Sequence, residues 1–443
     1  MEIRKIRLNN VGRFTDLEVA FAPTEKHASK VTVFVGNNGA GKTTILRALA
    51  TSLSWFVART RSRSGSGSPI DEDTIHNDSN SASIAVETVE ADQDFNWVLT
   101  KTRTGRKTEI YSSLAKSSDL ADLLRQRLTS NDDASIPLVA YYPVERSVLD
   151  IPLAIKRRHS FGQIDGYDNS LNRGVDFSRF FEWFREREDS ENETGMTAIA
   201  LDEMKRLIGT PENHLWEFLE QAHASSRDRQ LTAVRAAIGA FMPGFTNLRV
   251  QRKPRLHMAI DKAGKTLNVA QLSQGEKSLM ALVGDIARRL AMMNPSLENP
   301  LDGEGVILID EADLHLHPQW QGGLIRRLTQ TFRSCQFILT THSPLMISDT
   351  KDVLCYVLDD GDLEERNDLY GLDANQVLLG AMNTDVRNSD VQDRLDRLLD
   401  LLQDKKLKEA KALFEELSTD LPPGHIELTK AALLIRKLEL RSA

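Results

Sequence analysis

The stretch "GNNGAGKTT", residues 36–44, restricts what this chain can fold into more than any other. It satisfies the spacing G-x-x-x-x-G-K-[ST] with Gly36, Gly41, Lys42 and Thr43. Its flanks are the ones the motif requires. "VTVFVG" before it is a β-branched run that reads as a buried strand. "KTTILRALATSLSWFVA" after it carries Ile45, Leu46, Leu49 and Leu53 at helical spacing. In such a strand–loop–helix unit the glycines let the loop Asn37, Asn38, Gly39 and Ala40 turn its N–H groups inward onto phosphate oxygens. The positive end of the helix faces the same anion. Lys42 is expected to reach the β- and γ-phosphates and Thr43 to hold Mg2+, with Thr44 beside them among the nucleotide-binding residues.

A bound triphosphate needs an acid at the end of a neighbouring strand for the metal and a base that orients water. "GVILIDEADLHLHP", residues 305–318, supplies both. Four apolar residues bury the strand, and Asp310 and Glu311 emerge at its carboxyl end, where ligands sit in a parallel α/β sheet. Asp310 reads as the Mg2+-side acid and Glu311 as the general base. Simple strand alternation sends the two carboxylates to opposite faces. Asp313, His315 and His317 could instead ligate a transition metal, but no third soft ligand lies nearby in sequence. Pro318 reads as the first-turn residue of a helix, "PQWQGGLIRRL". The loop before it is expected to carry inter-subunit contacts.

Two weaker signals lie near. In "LSQGEKS" a Ser and a Gly precede a helix, so Ser273 and the Gly275 amide form an anion-facing helix start. In "FILTTHSP" a buried strand ends in Thr341, His342 and Ser343, and His342 is placed to meet a γ-phosphate.

The chain has 443 residues, enough for roughly three domains by length. The expected organisation is a first lobe over 1–150 with the phosphate loop and an antiparallel sheet. A mostly helical insertion follows over 151–245, broken at Gly195, Gly209 and Pro211, then a second lobe over 246–365 and a helical tail over 366–443. Residues 59–83 are rich in Ser, Gly and charge and read as a mobile loop. Acidic residues outnumber basic ones, 64 to 56, for a net charge of −8, so any DNA contact must come from a local patch. "KTRTGRK" at 101–107, "IKRRH" at 155–159 and "RVQRKPR" at 249–255 are the candidates. No run of about 18 apolar residues exists and the N-terminus lacks a signal peptide, so a cytoplasmic location without membrane contact is expected. Cys335 and Cys355 read as buried strand residues.

In order, the phosphate loop, "LSQGEKS", the acid pair and the terminal histidine resemble the ATP-binding-cassette (ABC) ATPases, a two-lobed α/β head. "HLHP" and "THSP" narrow this to the RecF, SMC and OLD-type branch. "YYPVERSVLDIPL", "FFEWFREREDSENE" and "GDIARRLAMMNPS" are similar to the PtuA group, the ATPase subunits of Septu-type anti-phage defence, and to related retron-associated ATPases. The resemblance implies ATP and Mg2+ as cofactors and a head-to-head dimer. Ser273, Gln274, Gly275 and Glu276 would contact ATP held by another copy, and His342 would join Glu311 in catalysis. An adenine contact near Arg13 and Phe14 is also implied. So is a separate HNH nuclease held in check by abundant ATP. One departure stands out: neither Gln93 nor Gln126 suits the glutamine that joins the lobes in that family, which leaves "YYPVER" for the junction. A RecF-like repair ATPase and an OLD-type ATPase-nuclease are the alternatives. The second would need acid-ended strands after His342, where "LDDGDLEE" reads as a hairpin turn.

Overall fold

The computed structural model describes residues 1–107, 110–145, 161–172, 174–194, 227–382 and 387–442. The "IKRRH" patch, the helix breaks at Gly195, Gly209 and Pro211, and much of the insertion and of "YYPVERSVLDIPL" lie outside them. Two compact units appear, Met1–Asp373 and Ala374–Ala443.

The first unit holds three sheets. β1 (Glu2–Val11), β2 (Phe14–Ala20), β4 (Ser81–Glu90) and β5 (Gln93–Thr102) form an antiparallel sheet in the order β2-β1-β4-β5. β3 (Val31–Gly36), β6 (Leu138–Tyr142), β10 (Gly305–Ile309), β11 (Cys335–Thr340), β12 (Leu354–Asp359) and β13 (Asp362–Arg366) form the second, ordered β13-β12-β3-β11-β10-β6. It is parallel except for β13. β7 (Phe245–Gln251), β8 (His257–Lys262) and β9 (Lys265–Asn268) form a small antiparallel sheet. The strands β3, β6, β10 and β11 are buried along their whole length, which is why each reads as an unbroken apolar run. The six-stranded sheet draws on both segments expected to be separate lobes: β3 and β6 come from the first 150 residues, the other four strands from beyond 300.

Buried Gln336 on β11 joins the two larger sheets. Its Oε1 accepts from Ile3 N at 2.8 Å, and its Nε2 donates to the carbonyls of Ile3 (2.8 Å) and Ala22 (2.7 Å). A polar side chain can sit in an apolar strand here because every hydrogen-bonding group it has is used.

α1 (Lys42–Arg61) packs against α2 (Ala115–Ser130) and the antiparallel sheet, where Trp97 Nε1 donates to Ser52 Oγ at 2.8 Å. α3 (Phe177–Thr194) buries Phe177, Phe180, Phe181 and Phe184, as their spacing predicts. It approaches α5 (Gln274–Met293) closely, since a Cβ on Gly284 would lie 2.9 Å from Phe180. α4 (Arg229–Phe241) also packs on α5. The expected helix after "HLHP" is two: α6 (Pro318–Gln321) with Pro at its first turn, and α7 (Leu324–Thr331), separated at Gly323, whose φ is +75°. α8 (Pro344–Ser348) follows β11.

Residues 59–83 are tied down more than their composition suggests. The first three complete α1. Trp55 Nε1 donates to Ser68 O, Ser68 N to Ser54 Oγ and Gly12 N to Thr74 O, while Ile70 and Ile75 are buried. Two isoleucines in a polar stretch were enough to anchor it. The first unit also extends past the expected boundary at 366, because Arg366 pairs with Cys355 and Gly371 N donates to Ser348 O.

The second unit contains α9 (Ala374–Ala381), α10 (Ser389–Gln403), α11 (Leu407–Asp420) and α12 (Ile426–Ser442). Leu395, Leu398 and Leu402 meet Ala410, Leu417, Leu428 and Ile435 in its own core. No helix among the described residues is long and apolar enough to cross a membrane.

Beneath the six-stranded sheet lies a buried charge network. Asp285 on α5 accepts from Arg288 and Arg289 at 2.7 Å each and from Tyr142 OH at 3.0 Å. Burial alone pushes the Asp285 carboxyl up, but Arg289 and Arg288 hold it below the usual range, so it stays ionised. Arg289 also donates to the carbonyls of Gly166 and Asp168. Removing Asp285 leaves two buried guanidinium groups uncompensated. Asp285→Ala should cost about 3–5 kcal/mol; a thermal or urea melt matching the parent would refute the role assigned to this network.

Candidate nucleotide site

The site assembles at the carboxyl ends of β3, β10 and β11. Gly36, Gly39 and Gly41 have φ of +147°, +80° and +107°. At two of them there is no room for a side chain either. A Cβ on Gly36 would lie 2.2 Å from Leu358 O, and one on Gly41 would lie 2.4 Å from Phe14 Cζ. Ala40 is buried, whereas Asn37, Asn38 and Gly39 form an exposed rim. No side chain caps the start of α1, which leaves its first-turn N–H groups for an anion. Lys42 Nζ donates to Gly36 O (2.8 Å) and Asn37 O (3.0 Å). Burial lowers its pKa, while Glu311, Asp310 and Asp313 act in the opposite direction.

That last observation changes the reading of the acid pair. β10 ends at Ile309, and Glu311 is in the left-handed region with φ +46°. Strand alternation therefore stops before the acids, and the fields of both carboxylates fall on the Lys42 ammonium. Their placement comes from Thr340, which is fully buried at the end of β11. Its hydroxyl donates to Asp310 Oδ1 at 2.6 Å and accepts from Glu311 N at 2.7 Å. Thr43 Oγ1 donates to the same Asp310 oxygen at 3.1 Å. The Thr43 hydroxyl and the Asp310 carboxylate are thus two hard oxygen donors side by side, and they fit Mg2+.

Asp313 is committed within the chain. Its Oδ1 accepts from Thr341 Oγ1 at 2.6 Å and from His342 N at 3.2 Å, so it positions the histidine. Burial, then the Lys42 charge, lower the His342 pKa against the pull of Asp313, Glu311 and Asp310. His317 Nδ1 accepts from Gln319 N at the start of α6. Gln321 ties Leu316 O to Ser343 Oγ. The "HLHP" and "THSP" stretches therefore brace each other. Among the described residues no group of three or more His, Cys, Asp and Glu is arranged to hold a metal.

Ser273 caps α5. Its Oγ accepts from Glu276 N at 3.3 Å, and its own N–H donates to Glu276 Oε2 at 2.8 Å. Ser273 is exposed, but Glu276 is buried and accepts from Lys262 at 2.6 Å. Burial works against the Glu276 charge, yet Lys262 and Ser273 hold its pKa down. Glu276 thus serves its own helix, unlike the exposed Ser273 with which the sequence grouped it. Gly275 abuts the "HLHP" loop, since a Cβ there would lie 2.4 Å from His315 O.

Of the two residues expected near adenine, Phe14 is 2% exposed and supports the phosphate loop beneath Gly41. Its ring is covered and offers no stacking face. Arg13 keeps a partly exposed side chain, donating to Gly39 O at 2.6 Å and to Asp360 at the tip of the β12–β13 hairpin. The two described basic patches are engaged within the chain in part: Arg103 donates to the carbonyls of Ile75 and Ser79, Arg249 pairs with Asp261 and Arg252 with Asp189, while Arg106, Lys107, Lys253 and Arg255 are exposed. Sequence reasoning named Thr341 only as a strand end and missed Thr340 and Gln321. Two consecutive threonines closing an apolar strand beside an acid-ended one were the available signal.

Residues 31–348 match the family model described as "AAA domain, putative AbiEii toxin, Type IV TA system". The chain belongs to this family. It is 35% identical over 378 residues to "Retron Ec83 probable ATPase" of Escherichia coli, covering 78% of this chain and 69% of that one. It is 35% identical over 373 residues to "Retron Vc95 probable ATPase" of Vibrio cholerae serotype O1 biovar El Tor, covering 78% and 72%. "Septu protein PtuA" of Bacillus mycoides (strain KBAB4) matches more locally, 43% over 76 residues, 17% of this chain and 10% of that protein. Among solved structures, an SMC head bound to the C-winged helix domain of ScpA superposes with a TM-score of 0.45 at 16% identity, covering 83% of this chain and 97% of that one.

Thr340 yields a direct prediction for this family member. Thr340→Val keeps the shape but removes the hydroxyl that orients a metal-side carboxylate. Nucleotide turnover or metal affinity should fall about 10–100-fold, with Thr340→Ser close to the parent. Equal turnover and Mg2+ dependence in Thr340→Val and the parent would show the hydroxyl to be dispensable.

Proposed function

We propose that this chain binds ATP with Mg2+, hydrolyses it between two copies of itself, and uses the change in arrangement to control a separate nuclease in anti-phage defence. The observation that carries the ATPase reading is the Thr340 hydroxyl, which holds Asp310 and Glu311 together beside the phosphate-loop lysine. When bound, Mg2+ would supply the positive charge that offsets the phosphates, and Thr43 and Asp310 would hold it. Lys42 leaves the Gly36 and Asn37 carbonyls for the β- and γ-phosphates. Glu311 takes the proton from the attacking water as its oxygen bonds to the γ-phosphorus and the bond to the bridging oxygen breaks. His342, neutral at physiological pH, orients the γ-phosphate. ADP and phosphate leave.

The composite site rests on Ser273. It is exposed at the start of the helix that it caps reciprocally with Glu276, and its outward face is offered to nucleotide held by a second copy. Glu311→Gln should retain ATP binding and lose turnover by at least about 100-fold, whereas Lys42→Ala should lose binding itself. Turnover at the parental rate in Glu311→Gln would remove the base. Mixing Lys42→Ala chains with Ser273→Arg chains should restore partial activity, because a mixed dimer keeps one unimpaired site. Mixed dimers that form and show no rescue would argue for sites complete in one chain.

The defence role is supported by the similarity to retron ATPases and, over a shorter stretch, to Septu PtuA. The separate partner is an HNH nuclease, repressed when ATP is abundant and released as ATP falls. The leucines of α10 pack into their own bundle, so they are not the docking surface for it. The hairpin acid Asp360 serves Arg13 rather than a second metal site. The purified chain alone should leave DNA intact, while its mixture with the nuclease should cut under nucleotide control. Mg2+-dependent cutting by this chain alone, abolished by Asp360→Ala or other acids after His342, would favour the OLD-type reading instead.

A further inference from the structure

Tyr141 lies on β6, the strand beside the acid-bearing β10, and is 4% exposed. Alternation along the strand sends its side chain to the face opposite Tyr142. Tyr142 reaches Asp285 on one side, and Tyr141 enters a cleft beside α1 on the other. The cleft has a volume of about 930 Å3. Thr43 and Thr44 of the phosphate loop line it, with Arg47 one turn further along α1 and Glu145 just beyond β6. Arg47 and Glu145 pair at 3.2 Å.

The Tyr141 hydroxyl is buried and finds no acceptor for its proton, since the Arg47 guanidinium beside it can only donate to the phenol oxygen. A buried hydroxyl without an acceptor is destabilising, and such groups persist where something outside the resting fold satisfies them. Burial, and then the nearby Asp310 carboxylate, raise its ionisation above the usual phenol range, so it stays a protonated donor. Tyr141 thus places an O–H without an acceptor at a cleft also lined by Thr43, the residue that shares Asp310 Oδ1.

We propose that Tyr141 donates its hydroxyl to the oxygen cluster on the metal side of bound nucleotide, formed by the γ-phosphate and the waters of its Mg2+. This rests on the ATP-binding reading above and adds a contact residue to it. A γ-phosphate oxygen carries the charge that makes an acceptor strong, and the tyrosine ring is held by the strand, so the donor needs no rearrangement. Arg47, which also pairs with Glu145, can donate to the phenol oxygen but cannot accept its proton, so the O–H remains to be given to the nucleotide side.

Tyr141→Phe isolates the claim, because the ring stays and only the hydroxyl is lost. Without nucleotide, the melting temperature should be unchanged or higher. Binding of a ribose-labelled fluorescent β,γ-imido ATP should match the parent in EDTA and weaken roughly tenfold in Mg2+. The Mg2+·nucleotide-induced rise in melting temperature should shrink to match. Parental affinity in Mg2+, or equal weakening with and without the metal, would overturn the proposal. So would a lower melting temperature of the free variant, which would mean that the O–H has a structural acceptor. A parent chain that binds no nucleotide through Lys42 would instead bring down the ATPase reading and this inference together.

Discussion

One hydroxyl holds the acid pair in place. Thr340 belongs to β11, yet it donates to Asp310 and accepts from the Glu311 amide, both just past the end of β10. Its own carbonyl receives Ala312 N, and the next residue's N–H is bonded to Phe34 O on the strand that leads into the phosphate loop. Asp310, Glu311, the phosphate loop and the histidine turn are therefore built around one strand end. Strand pairing sets that geometry, because β11 lies between β3 and β10 and brings its terminal residues to both.

The same strand end is tied to the helix that starts at Ser273. Asp310 N donates to Tyr142 O, and the Tyr142 hydroxyl donates to Asp285 in the middle of α5. At the start of α5, Gly275 lies against His315 O, in the loop whose Asp313 holds His342. Two routes thus connect the helix start to the catalytic groups of the same chain. The first is buried and enters α5 at its middle, whereas the second passes through half-buried Gly275 and exposed His315; close contacts of this kind transmit a displacement rather than absorb it. In the composite arrangement, occupancy of one site would reach the groups of the other through them.

Much of this was legible in the sequence, for identifiable reasons. Gly36, Gly41, Lys42 and Thr43 form a local motif whose geometry needs only the adjoining strand and helix. The buried strands announced themselves as apolar runs, and the Phe177–Phe184 face and the α10 leucines as helical periodicity. The readings that changed all depended on a partner distant in the chain. Residues 59–83 looked mobile because their polar composition hid anchors to Ser54, Trp55 and Gly12. Glu276 looked like part of an outward-facing motif until Lys262, from a neighbouring strand, took its carboxylate. Phe14 was expected beside adenine, but the hairpin turn buries it under Gly41.

The sequence by itself determined that the chain has a phosphate loop on a strand–helix unit, an acid-ended strand and a histidine-ended strand, because each of these is written in consecutive residues. Tertiary structure alone decided that both acids act on the charge of Lys42. A left-handed backbone at Glu311 and a hydroxyl from another strand override the alternation that local pattern predicts. It also decided that Asp313 and the histidine loop brace one another, and that Tyr141 and Thr43 line one cleft. Local spacing cannot encode such pairings, since they arise from the order in which the strands lie side by side.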